Sequence, residues 1–119
     1  MACEIIQVDG DLVRVRISGV MLLSEQQGLQ KLARDLMAQD GKVRLLAIVE
    51  NFQGWEKGVD WSDVDFLLAH GNDIARMAIA GDQRWKVEAL AFVGKGFRTT
   101  EIEFFSSSSL KEAEGWVRT

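Results

Sequence analysis

Residues 43 to 49 read VRLLAIV, an almost unbroken apolar run ended by Glu50 and Asn51. A strand with one wet face would alternate apolar and polar residues. A run without that alternation suits a central strand covered by helices on both faces, as in parallel sheets. Beyond it, residues 51 to 68 read as a loop and a following helix, with more apolar side chains than one helix face needs. How the chain enters and leaves this strand therefore decides the architecture.

Upstream, CEIIQV and LVRVRIS flank Val8-Asp9-Gly10-Asp11. Asp-Gly is a strong hairpin signal because both turn residues tolerate positive φ. In the second strand Leu12, Arg14, Arg16 and Ser18 alternate with Val13, Val15 and Ile17, which predicts one wet face and one buried face. Leu29, Leu32, Ala33, Leu36 and Met37 then recur at helical spacing. Ser24 with Gln27 predicts a capping box at the start of that helix, and Asp40-Gly41 predicts its end.

Downstream, a second helix is expected from Asp60 or Ser62, turning Val64, Leu67 and Leu68 inward. ARMAIA (75 to 80) reads as a buried strand, and Asp82 as the cap of a helix carrying Trp85, Val87, Leu90 and Ala91. TTEIEFF (99 to 105) reads as an edge strand with Glu101 and Glu103 outward. A last helix, with Ser109 and Glu112 as its capping box, places Leu110, Ala113, Trp116 and Val117 on one face. The chain thus reads as one α/β domain over residues 1–119, in the order β-β-α-β-α-β-α-β-α. A single mixed, mainly parallel sheet of about five strands, flanked by about four helices, follows from that order.

Composition narrows the function classes. Of 119 residues, 47% are hydrophobic and 27% charged, as in ordinary globular domains, and the net charge is −4. No stretch is basic enough to track a phosphate backbone, so nucleic acid is not an expected partner. The N-terminus lacks the pattern of a signal peptide, and no apolar run reaches the length that spans a bilayer. A cytoplasmic protein without stable membrane insertion is expected.

No chemistry-bearing constellation emerges. Cys3 and His70 are the only residues of their kinds, too few for a zinc site and without a pairing that would activate a nucleophile. Gly94 and Gly96 around Lys95 fit neither the Walker spacing nor a dinucleotide fingerprint, and a turn explains them better. The expectation is no catalytic residue, no metal and no cofactor. The serine run 106 to 109 reads first as a helix approach and second as a phosphorylation cluster.

Binding is the remaining class. The apolar excess over residues 51 to 68 can lid an apolar cavity, expose a partner surface, or simply cover the sheet. In open α/β sheets ligands gather at the carboxyl ends of the strands, an edge on which Asn51, Gly81 and Asp82 should lie. The candidate ligand-binding residues are Asn51, Phe52, Trp55, Trp61, Val64, Leu68, Asp82 and Trp85.

Several phrases in this order resemble a known family: the hairpin followed by SGVMLLSE, then VRLLAIVENFQGW, WSDVDFLLAHGNDIARMAIAGDQRW and FRTTEIEFFSSSSLKEAEGWV. Together they cover nearly the whole chain and are similar to the STAS superfamily, more closely to its SpoIIAA-like branch of small bacterial proteins, also grouped with the CRAL-TRIO lipid-binding fold. The resemblance implies a non-enzymatic binding or interaction module that takes a small apolar or lipid-like ligand or a protein partner. The superfamily's antagonists switch by phosphorylation of a serine just after the strand equivalent to residues 43 to 49. Here that place reads Glu50-Asn51-Phe52-Gln53-Gly54, with no hydroxyl, so the phosphoswitch does not carry over. Docking of a signalling partner without phosphoserine stays as the alternative, and a homodimer through the outward strand edge or the apolar lid stays open.

Overall fold

A computed structural model describes residues 3–59, 74–92 and 100–119. Five strands form one sheet in the order β1-β2-β3-β4-β5: β1 (Cys3–Asp9), β2 (Leu12–Met21), β3 (Val43–Trp55), β4 (Ile74–Gly81) and β5 (Glu101–Ser106). Only the β1–β2 pair is antiparallel, and the other three pairings are parallel. Three helices are present among the described residues: α1 (Leu23–Asp40), α2 (Lys86–Phe92) and α3 (Leu110–Arg118). The mixed, mainly parallel α/β architecture is as the sequence predicts. The helix expected from residue 60 lies outside the described residues.

The central run behaves as expected on both faces. Val43 and Ala47 join Val13, Val15, Met77, Ile79 and Ile102 in one core cluster, onto which α1 packs Leu29, Leu32, Ala33, Leu36 and Met37. Leu46 points the other way, into a cluster of Leu12, Ala78, Ala80, Ala113 and Val117 beneath α3. Ala78 and Ala80 are small, which lets α3 sit close enough for Ala113 and Val117 to lose all solvent exposure.

Four local expectations need correction. The hairpin turn is Gly10-Asp11, since Asp9 still pairs with Leu12; Gly10 alone takes positive φ, at 61°. The polar face of β2 is not simply wet. Arg14 is only 17% exposed and forms an ion pair with Glu114 of α3, because the last helix covers that face. Ser24 and Gln27 do not box the start of α1. Leu22 is the N-cap, without a side-chain bond, and the Leu23 amide donates instead to Glu56 Oε1 at 3.1 Å. Ser109 makes no capping bond at α3 either. A short 3₁₀ turn over Ser107–Ser109 precedes that helix, and the Ser106 hydroxyl lies 2.9 Å from that of Ser108 and 3.2 Å from that of Ser109.

The C-terminal end of α3 is held by the sheet. Arg44 Nη1 donates to the Val117 carbonyl at 2.7 Å, and Arg76 Nη1 donates to that of Trp116 at 3.2 Å. Both cations thus meet the negative end of the helix, where terminal carbonyls need donors. Arg44 also pairs with Asp11 at 3.2 Å and Arg76 with Glu101 at 2.9 Å. Glu114 is bonded by Arg14 and lies 3.4 Å from Arg118, which in turn reaches Asp9 at 3.0 Å. Hydrogen bonding from the Arg14 guanidinium, against a smaller effect of burial, holds the Glu114 carboxyl below its ordinary range.

Candidate functional site

The strand that begins as VRLLAIV does not stop at Glu50. It runs on to Trp55, where the sequence predicts a loop, and stays paired with the far end of β2 through Gly19↔Phe52, Val20↔Gly54 and Met21↔Trp55. Two register irregularities flank Gly19, and Asn51 and Gly54 take positive φ of 50° and 103°. Asparagine and glycine tolerate that conformation better than other residues. The bulged extension therefore keeps its ladder with β2 while bending. It leaves Phe52 buried and Trp55 half-buried on the α1 side.

Opposite them stands the segment after β4. Asp82 accepts a hydrogen bond from the Arg84 amide at 3.0 Å and caps a 3₁₀ turn, Gln83–Trp85, that leads into α2. The turn changes the phase of the helix. Trp85, Ala89 and Phe92 face the cavity, while Val87 is 79% exposed and Ala91 is exposed as well, against the expected inward face. Their spacing of four and then three residues is legible in the sequence, but only if the helix phase is counted from Trp85.

Four aromatic rings form one cluster. Phe52 lies edge-on to Trp55 at 5.0 Å and to Trp85 at 4.9 Å between centroids. Trp55 meets Trp85 at 6.0 Å and Phe92 at 5.2 Å. These separations suit favourable edge-to-face packing. Arg84 lies over the Trp85 ring at 5.0 Å.

Between this cluster, α1 and the sheet lies a cavity of about 250 Å³. Its described wall is almost wholly apolar: Val15, Ala47 and Met77 form part of the floor, Leu29 and Ala33 part of the helical side, and the aromatic cluster one end. Gln26 and Gln30 supply polar side chains from α1. Arg44 touches the wall too, but its guanidinium is engaged with Asp11 and Val117. Two polar atoms at this site are buried without a hydrogen-bond partner among the described residues: Trp55 Nε1 and Gln26 Oε1.

Of the residues expected to bind a ligand, Phe52, Trp55 and Trp85 come together on the cavity wall. Asn51 and Asp82 are exposed and are not among the wall residues; one shapes the bulge and the other caps a turn. Trp61, Val64 and Leu68 lie outside the described residues, as do His70 and the glycines around Lys95. Phe92, Gln26 and the α1 side of the wall were not anticipated as site residues. Among the described residues no group of acidic, histidine or cysteine side chains is placed to hold a metal, and no helix is long and apolar enough to cross a membrane.

Comparison with known proteins places this architecture. A comparison with curated proteins finds no match. A crystal structure of an uncharacterized DUF3478-family protein with a SpoIIAA-like fold, from Shewanella loihica PV-4, is similar at a TM-score of 0.71 and 21% identity, over 98% of this chain and 92% of that one. The anti-sigma factor antagonist SpoIIAA in its unphosphorylated form is similar at a TM-score of 0.62 and 14% identity, over 98% of each chain. At such identities the likeness is one of fold. The SpoIIAA-like family model matches residues 12–118, and the chain belongs to the SpoIIAA-like family.

Proposed function

We propose that this protein is a non-enzymatic binding module whose working site is the cavity between α1 and the aromatic cluster, and that it takes a small apolar or lipid-like ligand there. The observation that supports the reading is the cavity itself, about 250 Å³ with an apolar wall closed at one end by four aromatic rings. That volume lies between the roughly 150 Å³ of an engineered cavity that binds benzene and the roughly 300–1,000 Å³ of drug-sized pockets. A short chain or single ring suits it better than a whole phospholipid. Native mass spectrometry and organic extraction of the purified protein test the reading. A bound apolar compound, or a change in tryptophan fluorescence on adding short-chain apolar compounds, is the expected result. A ligand-free protein whose fluorescence and melting temperature ignore all such compounds would overturn it.

A second reading is supported by the fold shared with an anti-sigma factor antagonist. The fold fits a STAS-type regulatory module, and we propose as the alternative that the chain docks a signalling partner in the cytoplasm. Glu50 to Gly54 contain no hydroxyl, so docking here would not be gated by a phosphoserine at that place. Incubation with cell lysate and labelled ATP, followed by phosphosite mapping, discriminates. Phosphate on Ser62 or within Ser106 to Ser109 would favour a switch, and an unlabelled protein would count against one. Sedimentation at several concentrations tests the homodimer.

A further inference from the structure

We infer that the ligand of this cavity is a neutral amphiphile, a short apolar body with one oxygen-bearing end held between Trp55 and Gln26. The inference rests on the binding reading above and goes one step beyond it, to the chemical class of the ligand.

A wholly apolar cavity would suit a hydrocarbon. This one carries two unmet polar atoms, the Trp55 Nε1–H and the Gln26 side-chain oxygen, both buried and both on residues of its wall. Buried donors and acceptors are almost always paired, because leaving one unpaired forfeits its hydration without return. The indole can only donate, whereas an amide both donates and accepts. Their complement is a group that accepts from Trp55 and exchanges a hydrogen bond with Gln26. A hydroxyl does both; a carbonyl would meet the indole but leave the Gln26 oxygen unpaired.

The two residues stand at the same end of the cavity. Trp55 pairs with Met21 across the β2–β3 ladder, and the next residue, Glu56, donates its amide to the Met21 carbonyl at 2.8 Å. Gln26 lies in the first turn of α1, with its amide on the Leu22 carbonyl at 3.2 Å. The Leu23 amide, bonded to Glu56, ties these two pieces together.

Charge at this end argues for a neutral group. The single basic residue among the described wall residues is Arg44, and its guanidinium is committed to Asp11 and Val117. Carboxylates, by contrast, adjoin both polar residues in the chain, Glu25 next to Gln26 and Glu56 next to Trp55. Three of the opening amides of α1 are also occupied, that of Leu23 by Glu56 and those of Glu25 and Gln26 by the Leu22 carbonyl. Among the described wall residues no uncommitted cation could meet a ligand carboxylate, whose burial would therefore be costly.

Hexane, 1-hexanol and hexanoate, titrated calorimetrically into the purified full chain at pH 7, form the test. The wild type should bind hexanol at least as tightly as hexane, and hexanoate the most weakly. In Trp55→Phe, hexane affinity should change little while hexanol weakens about tenfold, because its hydroxyl is then desolvated with one partner fewer. Gln26→Met should reproduce the selective loss and serves if the first variant folds poorly. Wild-type preference for hexane over hexanol by about tenfold or more, as a dry apolar cavity would show, overturns the inference and leaves the binding reading standing. Tightest binding of hexanoate also overturns it. Binding of none of the three overturns both.

Discussion

The two faces of the sheet are finished in opposite ways. At the centre of the α3 face the side chains are small or almost fully enclosed, and the helix is pinned by arginines from three successive strands, Arg14, Arg44 and Arg76. Under α1 and α2 the residues are larger and more apolar, yet a cavity of about 250 Å³ remains and two polar atoms at its wall go unmet. Close packing is the rule in protein interiors, and voids of that size are few. One face is built for permanence. The other keeps space.

Leu46 lies at the centre of the closed face with no exposure. Truncation by Leu46→Ala should cost about 2–5 kcal/mol, since neighbours held by α3 cannot collapse into the hole. Urea unfolding followed by circular dichroism measures it, and a loss below about 1 kcal/mol would mean that the closed face is looser than its burial indicates.

A matched pair of enlargements comes next in size. Ala113→Leu inserts bulk at a fully buried position under α3, and should destabilise by about 1–3 kcal/mol. Ala33→Leu adds the same atoms on α1 at the cavity wall. It should be neutral or stabilising by up to about 2 kcal/mol, as cavity-filling changes commonly are. Equal destabilisation of the two variants in thermal melts would erase the contrast between the faces.

The smallest effect is electrostatic. Glu114 is held below its ordinary value by Arg14, so the ion pair contributes stability above the carboxyl's unfolded pKa, near 4.5. That contribution is lost as pH falls through the lower folded value. Glu114→Gln should therefore cost less than about 1 kcal/mol at neutral pH and leave almost no difference from wild type at strongly acid pH. Denaturation midpoints measured from pH 7 downward check the convergence, and a gap that persists in acid would assign the effect to packing.

Legibility from sequence followed the same division. The strands with strong apolar runs, the α1 stripe and the α3 face were all readable, because burial imposes a period on them. What was not readable depended on contacts distant in sequence. Glu56 serves the start of α1 from 33 residues away, so the local Ser24 pattern could not reveal that a distant carboxylate accepts from the first turn instead. Likewise β3 runs on past Glu50 only because β2 is long enough to pair with it, a fact of register rather than of local pattern. The aromatic residues at 52, 55 and 85 were singled out from sequence, but Phe92 and Gln26 join them only once the helix phases are known.

The bond from the Leu23 amide to Glu56 has a mechanical consequence. It couples the root of α1 to the strand end that carries Trp55, and the Glu56 amide fastens the same point to Met21. Two opposing jaws of the cavity thus share one rivet. Parting the root of α1 from the strand end at Trp55 would break that joint, so the two walls move as one piece at this end.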